Sequence, residues 1–302
     1  MILYPNCKIN IGLRVIGKRP DGYHNLETIF YPVLGLYDVL MITAADKFSF
    51  VQDGLVVDCP DEDNLILKCY RRMQARYPQI GNVAIRFTKR IPFGAGLGGG
   101  SSDAAHTAIA LNELFELGLT REQLAAEVAP LGADCAFFIY NTPCLAEGIG
   151  ELLTPVPFTL SGFRLVMIKP DIHVSTREAY QGVLAVSNQT SDTVHRTPYT
   201  THQPRLADLA RQGLTPIDLS RHADIICNDF ERTVFPAHPE LEAIKQRLLD
   251  MGAYYAAMSG SGSTIYALFE DEPEQSGKAA TPTALSLPDD LATITIFNDL
   301  LP

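Results

Sequence analysis

Five glycines fall in seven positions, Gly94, Gly96, Gly98, Gly99 and Gly100 of PFGAGLGGGSS, and the run leads without a break into DAAHTAIALNELFEL. A segment without side chains can turn its backbone N–H groups inward, and the helix behind it adds the positive end of its dipole at the same point. The stretch after the glycines is rich in Ala and Leu and free of Gly and Pro until Gly118, which predicts a helix ending there. A flexible linker would not normally feed such a helix. The run therefore reads as a polyphosphate cradle that faces solvent when empty, with Ser101 and Ser102 adding hydroxyls for a phosphate or a magnesium ion. Gly94, Gly96 and Gly99 also satisfy GxGxxG, but Pro92 stands where a Rossmann strand should run in, and Glu113 and Glu116 lie inside the helix. There is no GxxxxGK[ST], so a P-loop is excluded.

Charge narrows the ligand class. Lys plus Arg total 24 against 35 for Asp plus Glu, a net charge of -11, which argues against a nucleic-acid binder but leaves room for a local basic site. No apolar run approaches the roughly 18 residues of a membrane span. Asn6, Lys8 and Asn10 interrupt the N-terminal region where a signal peptide would be apolar, so a cytoplasmic location is expected. Cys7, Cys59, Cys69, Cys135, Cys144 and Cys227 are scattered without CxxC spacing, which predicts free thiols and no structural metal.

The first ninety residues read mainly as strands and turns, with RPDGYH a turn by its Pro and Asp-Gly content. NLILKCYRRMQARY places Leu65, Cys69 and Met73 at helical spacing behind Asp61 and Asp63 as candidate caps, with Asp63 and Asn64 reading as an N-cap pair, and REQLAAEVAPL follows Thr120, a further N-cap. Pro155, Pro157 and Gly162 mark a boundary before the strand FRLVMIKP, giving expected domains of 1–156 and 157–302. Residues 187–204 are polar and read as a long exposed loop, and the prolines between Glu270 and Asp290 oppose a long helix there. Strands first, then strand–helix alternation, indicate an α+β chain in two layers.

Three stretches in order carry a resemblance: PNCKINIGLRVIGKRPDGYHNLET near the start, PFGAGLGGGSSDAA, and AAMSGSGSTIYALF at residues 256–269. They resemble the three motifs of the GHMP kinases. The resemblance implies a two-domain GHMP kinase fold with its active site in the cleft between domains. It places ATP, with Mg²⁺, on Pro92, Gly94, Gly96, Leu97, Gly98, Gly99, Gly100, Ser101 and Ser102, and against Asn64 and Lys89. KIN, RPDGYH, EDNLI and LGADCAFF are similar to one branch of that family. This branch phosphorylates the 2-hydroxyl of the methylerythritol unit of a cytidyl diphosphate ester, in the non-mevalonate isoprenoid pathway. Asn6 and Cys7 stand where that branch more often has small residues.

By residue type alone, Asp134 in LGADCAFF reads as a helix cap or turn acid, and Lys8 as a solvated edge-strand lysine. The resemblance gives them another role, Asp134 as base or electrostatic orienter and Lys8 as the cation beside it. It also assigns Asn10, Tyr23, His24, Thr176 and Tyr180 to the acceptor, with Tyr23 and Tyr180 on either side of the cytosine and His24 at its edge. Another alcohol, such as homoserine or mevalonate, and a catalytically silent nucleotide sensor are the competing functions, and retention of both Lys8 and Asp134 argues against the sensor. The oligomeric state cannot be read from the chain.

Overall fold

A computed structural model describes residues 1–56, 60–180, 205–270 and 295–298. After β1 (Ile2–Leu3), β2 (Asn6–Lys18) and β3 (His24–Tyr37) form a long antiparallel hairpin. The turn between them is closed by Arg19 N–H donating to Tyr23 O at 2.8 Å and by Gly22 at φ 89°. Both strands are buried along most of their length rather than on alternate residues, because each face of the hairpin is covered.

One cover comes from β4 (Val39–Ala44), β5 (Ser49–Gly54), α1 (Leu65–Arg76), β6 (Val83–Lys89), α2 (Gly99–Leu114), α3 (Arg121–Val128) and α4 (Cys135–Tyr140). Strands β1-β4-β6-β5 form one sheet, and its apolar residues Leu40, Ile42, Ile85 and Phe87 pack with Ala104, Ala108 and Leu111 of α2 and Phe137 and Phe138 of α4. The run of alanines lets α2 lie close to its neighbours, as its position under the phosphate loop requires. β7 (Cys144–Glu147) and β8 (Leu152–Pro155) extend the hairpin into a second sheet, β2-β3-β7-β8.

The other cover follows β9 (Phe163–Ile168) and a helical turn at 176–180: α5 (Leu206–Gly213), α6 (Pro216–Arg221), α7 (Glu231–Ala237), α8 (Pro239–Asp250), β10 (Tyr255–Met258), β11 (Ile265–Glu270) and β12 (Thr295–Asn298). The third sheet, β10-β11-β9-β12, is antiparallel. Its alternate residues divide between two cores. Leu165 and Met167 face Ile9, Ile11 and Val33 of the hairpin, while Val166 and Ile168 face Val234, Leu241 and Leu248 of α7 and α8. The expected cut at 156/157 falls between β8 and β9, yet a continuous core crosses it. Leu13 of β2 even pairs by backbone with the far half, donating to Cys227 O and accepting from Asp229 N–H, both at 2.8 Å.

The structure decides among the expected caps of α1 and corrects the bounds of α2. The cap of α1 is Asn64, whose Oδ1 accepts from Ile66 N–H at 3.0 Å; Asp63 instead meets Lys68 at 2.7 Å. A cap must directly precede the first helical residue, and only Asn64 does. Helix α2 begins inside the glycine run and ends at Leu114, short of Gly118. The expected cap of α3 takes its place in a capping box between Thr120 and Gln123. The readings of 187–204 and of the segment after Glu270 lie outside the described residues. Cys7, Cys69, Cys135, Cys144 and Cys227 are free, while Cys59 lies outside the described residues. Burial pushes the Cys7 and Cys69 thiols up, and Cys135 up to about 12, which makes them poor nucleophiles. No helix among the described residues is long and apolar enough to cross a membrane.

Candidate active site

The glycine loop is clamped rather than free. Leu97 is buried, and its carbonyl accepts from Lys8 N–H of β2 at 3.0 Å. Gly96 sits at φ 75° so close to a second glycine loop that a Cβ there would lie 2.0 Å from Ser259 O. Ser259 Oγ donates to Gly96 O at 3.0 Å, and Asn228 holds the same second loop by donating to Met258 O and Gly260 O, both at 2.7 Å. Gly98, at φ 70°, is the N-cap of α2, and a Cβ there would stand 3.1 Å from Lys8 Cε and from Phe138. The expectation of a solvent-facing loop is thus corrected: only its outer part, Phe93 and Gly94, is exposed. With no side chain capping α2, the N–H groups of its first turn keep their capacity for an anion.

Gly94, Gly96 and Gly98 line one wall of a cleft of about 460 Å³, with Lys8, Asn10, Asp134, Thr176, Tyr180 and Ser261 among its other walls. Lys8 is almost fully buried and fixed on four sides. Its Nζ donates to Asn10 Oδ1 at 2.6 Å and Gly96 O at 3.2 Å, meets Asp134 Oδ2 at 3.3 Å, and lies 5.0 Å from the centroid of the Phe30 ring. Asn10 is oriented in turn by donating to Thr28 Oγ1 at 3.0 Å. Asp134 occupies the N-cap position of α4 but makes no capping bond; its side chain, 28% exposed, turns to Lys8 instead. A carboxylate that leaves its cap unmade and stands open to a cleft can accept a proton or orient a hydroxyl.

A second lysine lies behind the same loop. Lys89 Nζ sits 2.5 Å from Asp38 Oδ2 and 2.8 Å from Asp103 Oδ2, and Asp38 Oδ1 accepts from the N–H groups of Arg90 and Ile91 at 2.5 and 2.9 Å. All three side chains are buried. Burial opposes the Lys89 charge, but Asp103 and Asp38 outweigh it and raise its pKa above the usual lysine value. Asp103 is raised well above the carboxylate range, by burial first and by the Asp38 charge, against the pull of Lys89. With Asn64, Leu65, Phe93 and Gly100, Lys89 lines a small cavity of about 60 Å³. Its ammonium is therefore already engaged, and what Lys89 brings to that cavity is its stem and backbone.

On the acceptor side His24 opens β3 and stacks on Tyr180, centroids 5.1 Å apart and planes at 21°, while Tyr180 meets Phe230 edge-on at 4.8 Å. Burial, helped by Lys18, lowers the His24 pKa and so favours the neutral ring. Burial and the Asp134 charge push Tyr180 up to about 12. Tyr23 and Tyr180, expected on either side of the cytosine, differ in exposure, Tyr180 being half-buried. Tyr23 is 62% exposed at the turn, because successive residues entering a strand point to opposite sides and His24 takes the inward one. Thr176 Oγ1 lies 3.0 Å from Ser261 Oγ, joining the helical turn to the second glycine loop. Pro92 and Ser101 are half-buried, Gly99 and Ser102 buried. Ser102 faces His106, with Oγ 3.4 Å from its Nδ1, and the Ser101 hydroxyl meets the Cys135 thiol.

Sequence reasoning missed Asp38, Asp103, Asn228 and Ser259. The last lay in a quoted motif, and Asp103 in GGSSDAA; Asp38 and Asn228 carry no local signal.

Comparison with known proteins bears on the same features. Residues 64–142 match the model of the GHMP kinases N terminal domain, and residues 206–280 that of the GHMP kinases C terminal. The chain is 45% identical over 270 residues to a 4-diphosphocytidyl-2-C-methyl-D-erythritol kinase of Parabacteroides distasonis, covering 89% of this chain and 92% of that one. A crystal structure of 4-(cytidine 5'-diphospho)-2C-methyl-D-erythritol kinase is similar at 31% identity and a TM-score of 0.69, over 89% of this chain and 90% of that one. A homoserine kinase from Cytophaga hutchinsonii shares the fold at 18% identity and a TM-score of 0.57, over 90% and 85% of the two chains.

Proposed function

We infer from this that the chain, which belongs to the GHMP kinases and within them to the 4-diphosphocytidyl-2-C-methyl-D-erythritol kinases, transfers the γ-phosphate of ATP to the 2-hydroxyl of 4-diphosphocytidyl-2-C-methyl-D-erythritol. The observation that carries the chemistry is the Asp134 carboxylate, which leaves its helix uncapped and meets buried Lys8 at 3.3 Å beside Gly96 and Gly98. Phosphoryl transfer to an alcohol needs alignment, neutralisation of developing charge and a place for the hydroxyl proton. The glycine loop and the first turn of α2 supply backbone N–H donors for the phosphates. Asp134 accepts or orients the hydroxyl proton, and Lys8 holds that carboxylate in place and offsets the charge of the attacking oxygen. Asn10 fixes Lys8 and borders the acceptor; Thr176 borders it from the other half.

Asn64 and Lys89 form the base-side wall of the nucleotide pocket, Lys89 through its stem and backbone. His24 and Tyr180 form the platform for the cytosine, with Tyr180 supplying stacking area and His24 polar edge contacts. Mg²⁺ neutralises phosphate oxygens when it is bound with ATP. Asp134 and Ser101 are the oxygen donors at hand for it, and no cluster of three or more acidic, His or Cys residues suited to a metal occurs among the described residues. That donor set fits an ion carried in on the nucleotide, which keeps most of its own waters, better than a dedicated protein cage. The reaction is placed in the cytoplasm, where ATP is available.

The test is an ADP-release assay against diphosphocytidyl methylerythritol, homoserine and mevalonate. Turnover of the cytidyl ester should dominate. Faster turnover of homoserine or mevalonate would overturn the substrate assignment while leaving the kinase fold intact.

A further inference from the structure

Two basic residues line the cleft among the described residues, Lys8 and His173, and Lys8 is already held by Asp134 and Asn10. A reaction that joins a triphosphate donor to a diphosphate ester brings several negative charges into this space, so one committed ammonium is a sparse provision. His173 is differently placed. It is exposed, and it makes no hydrogen bond or ion pair with any described residue. Its ring lies against the outer end of the glycine loop: a Cβ on Gly94 would stand 3.5 Å from His173 Cε1 and 3.6 Å from its Nδ1. Gly94 itself is exposed and at φ 63°, so nothing from the loop separates the imidazole from a ligand lying there.

The segment carrying His173 is held firmly. Lys169 Nζ donates to Pro170 O at 2.6 Å and to Ile172 O at 3.1 Å. Ser263 Oγ donates to the same Ile172 carbonyl, and Thr176 Oγ1 meets Ser261 Oγ at 3.0 Å. The segment is thus tied on both sides of His173 to the second glycine loop, which is itself locked against Gly96. The C-terminal half thereby presents an unengaged N–H donor at a fixed place beside the phosphate loop, where a positioned donor is worth most.

We propose that His173 is a phosphate ligand of the transfer site, reaching across the cleft to an oxygen of the phosphate chain that lies against Gly94. The proposal rests on the kinase reading above. Protonated or neutral, the imidazole can donate an N–H to a phosphoryl oxygen. The chain in question belongs either to the nucleotide or to the cytidyl ester, and the probes separate the two.

Equilibrium titration of the full chain with a non-hydrolysable ATP analogue and, separately, with CDP compares wild type, His173→Ala and His173→Gln. Because neither probe reacts, the result stands apart from whether the cytidyl ester is the true acceptor. His173→Ala should weaken one probe by about tenfold or more, the usual effect of losing a hydrogen bond to a charged group. Weakening of the ATP analogue assigns the nucleotide, and weakening of CDP assigns the ester. His173→Gln, which keeps an N–H donor of similar reach, should recover most of the loss, and steady-state assays should show the change in KM rather than kcat. Affinity for both probes within about twofold of wild type in His173→Ala, well inside that hydrogen-bond effect, would overturn the proposal. So would a His173→Gln variant as weak as His173→Ala, since ring packing on Gly94 would then be all that His173 provides.

Discussion

Two lysine–aspartate groups flank the same glycine loop, and they differ in enclosure. Around Lys89 two carboxylates close in at 2.5 and 2.8 Å, backbone N–H groups complete Asp38, and all three side chains are sealed beneath α2. Around Lys8 a single carboxylate stands at 3.3 Å, and its side chain is 28% exposed. Gly99 packs so close to the first group that a Cβ there would lie 3.0 Å from Lys89 Nζ, so the phosphate helix rests on that group. The second group faces the cleft. A buried charge that is fully partnered fixes structure; one with an open side remains available for chemistry.

The largest expected effect separates these roles. Asp134→Asn keeps size and much of the hydrogen-bonding capacity but removes the carboxylate. A positioned base is worth roughly 10²–10⁴-fold, so kcat should fall by that factor with ATP affinity little changed. A kcat within about threefold of wild type, on that scale, would return Asp134 to an ordinary helix-start acid.

Stability should show the reverse pattern. Lys89→Met leaves Asp38 and Asp103 buried without the cation that partners them, and breaking such a group costs about 3–5 kcal/mol. Lys8→Met leaves one carboxylate that water can reach, so its loss of stability in urea should be less than half as large while activity disappears. Equal destabilisation by the two variants would mean that Lys8 is as much a structural cation as Lys89.

The open group was far more legible in the sequence than the closed one. Lys8 and Asp134 lie in short motifs, KIN and LGADCAFF, that carry the family resemblance, although by residue type alone they read as an edge lysine and a cap acid. Helix α3 was readable locally, since a capping box is contained in four residues. Asp38 is different: an acid between two apolar strands, its partners 51 to 53 positions away along the chain, with nothing nearby to mark it. Lys89 was visible but its role was not, because two carboxylates that only the fold brings together engage its charge. Tyr23 and His24 show the limit at its finest, where a shift of one residue decides which ring is exposed at the turn and which is buried.

The smallest expected effect concerns pH, and it probes the closed group from within. Burial and the Asp38 charge raise the Asp103 pKa well above its ordinary value, and Asp103 Oδ1 has no hydrogen-bond partner among the described residues. A raised pKa means that the folded chain holds this proton more tightly than the unfolded chain. Below about pH 4, near the ordinary Asp pKa, both states keep it and the full contribution is present. As pH rises the unfolded chain releases the proton first, so stability falls by at most about 1.4 kcal/mol per unit until the folded carboxyl also ionises. Asp103→Asn resembles the protonated side chain, keeps an acceptor for Lys89, and has no proton to lose. Its stability relative to wild type should therefore improve as pH is raised above about 4, until the folded carboxyl ionises, whatever its offset at the acid end. Parallel curves of unfolding free energy for the two proteins from about pH 4 upward would mean that the fold does not raise the Asp103 pKa, leaving Lys89 to hold two full negative charges beneath the phosphate helix.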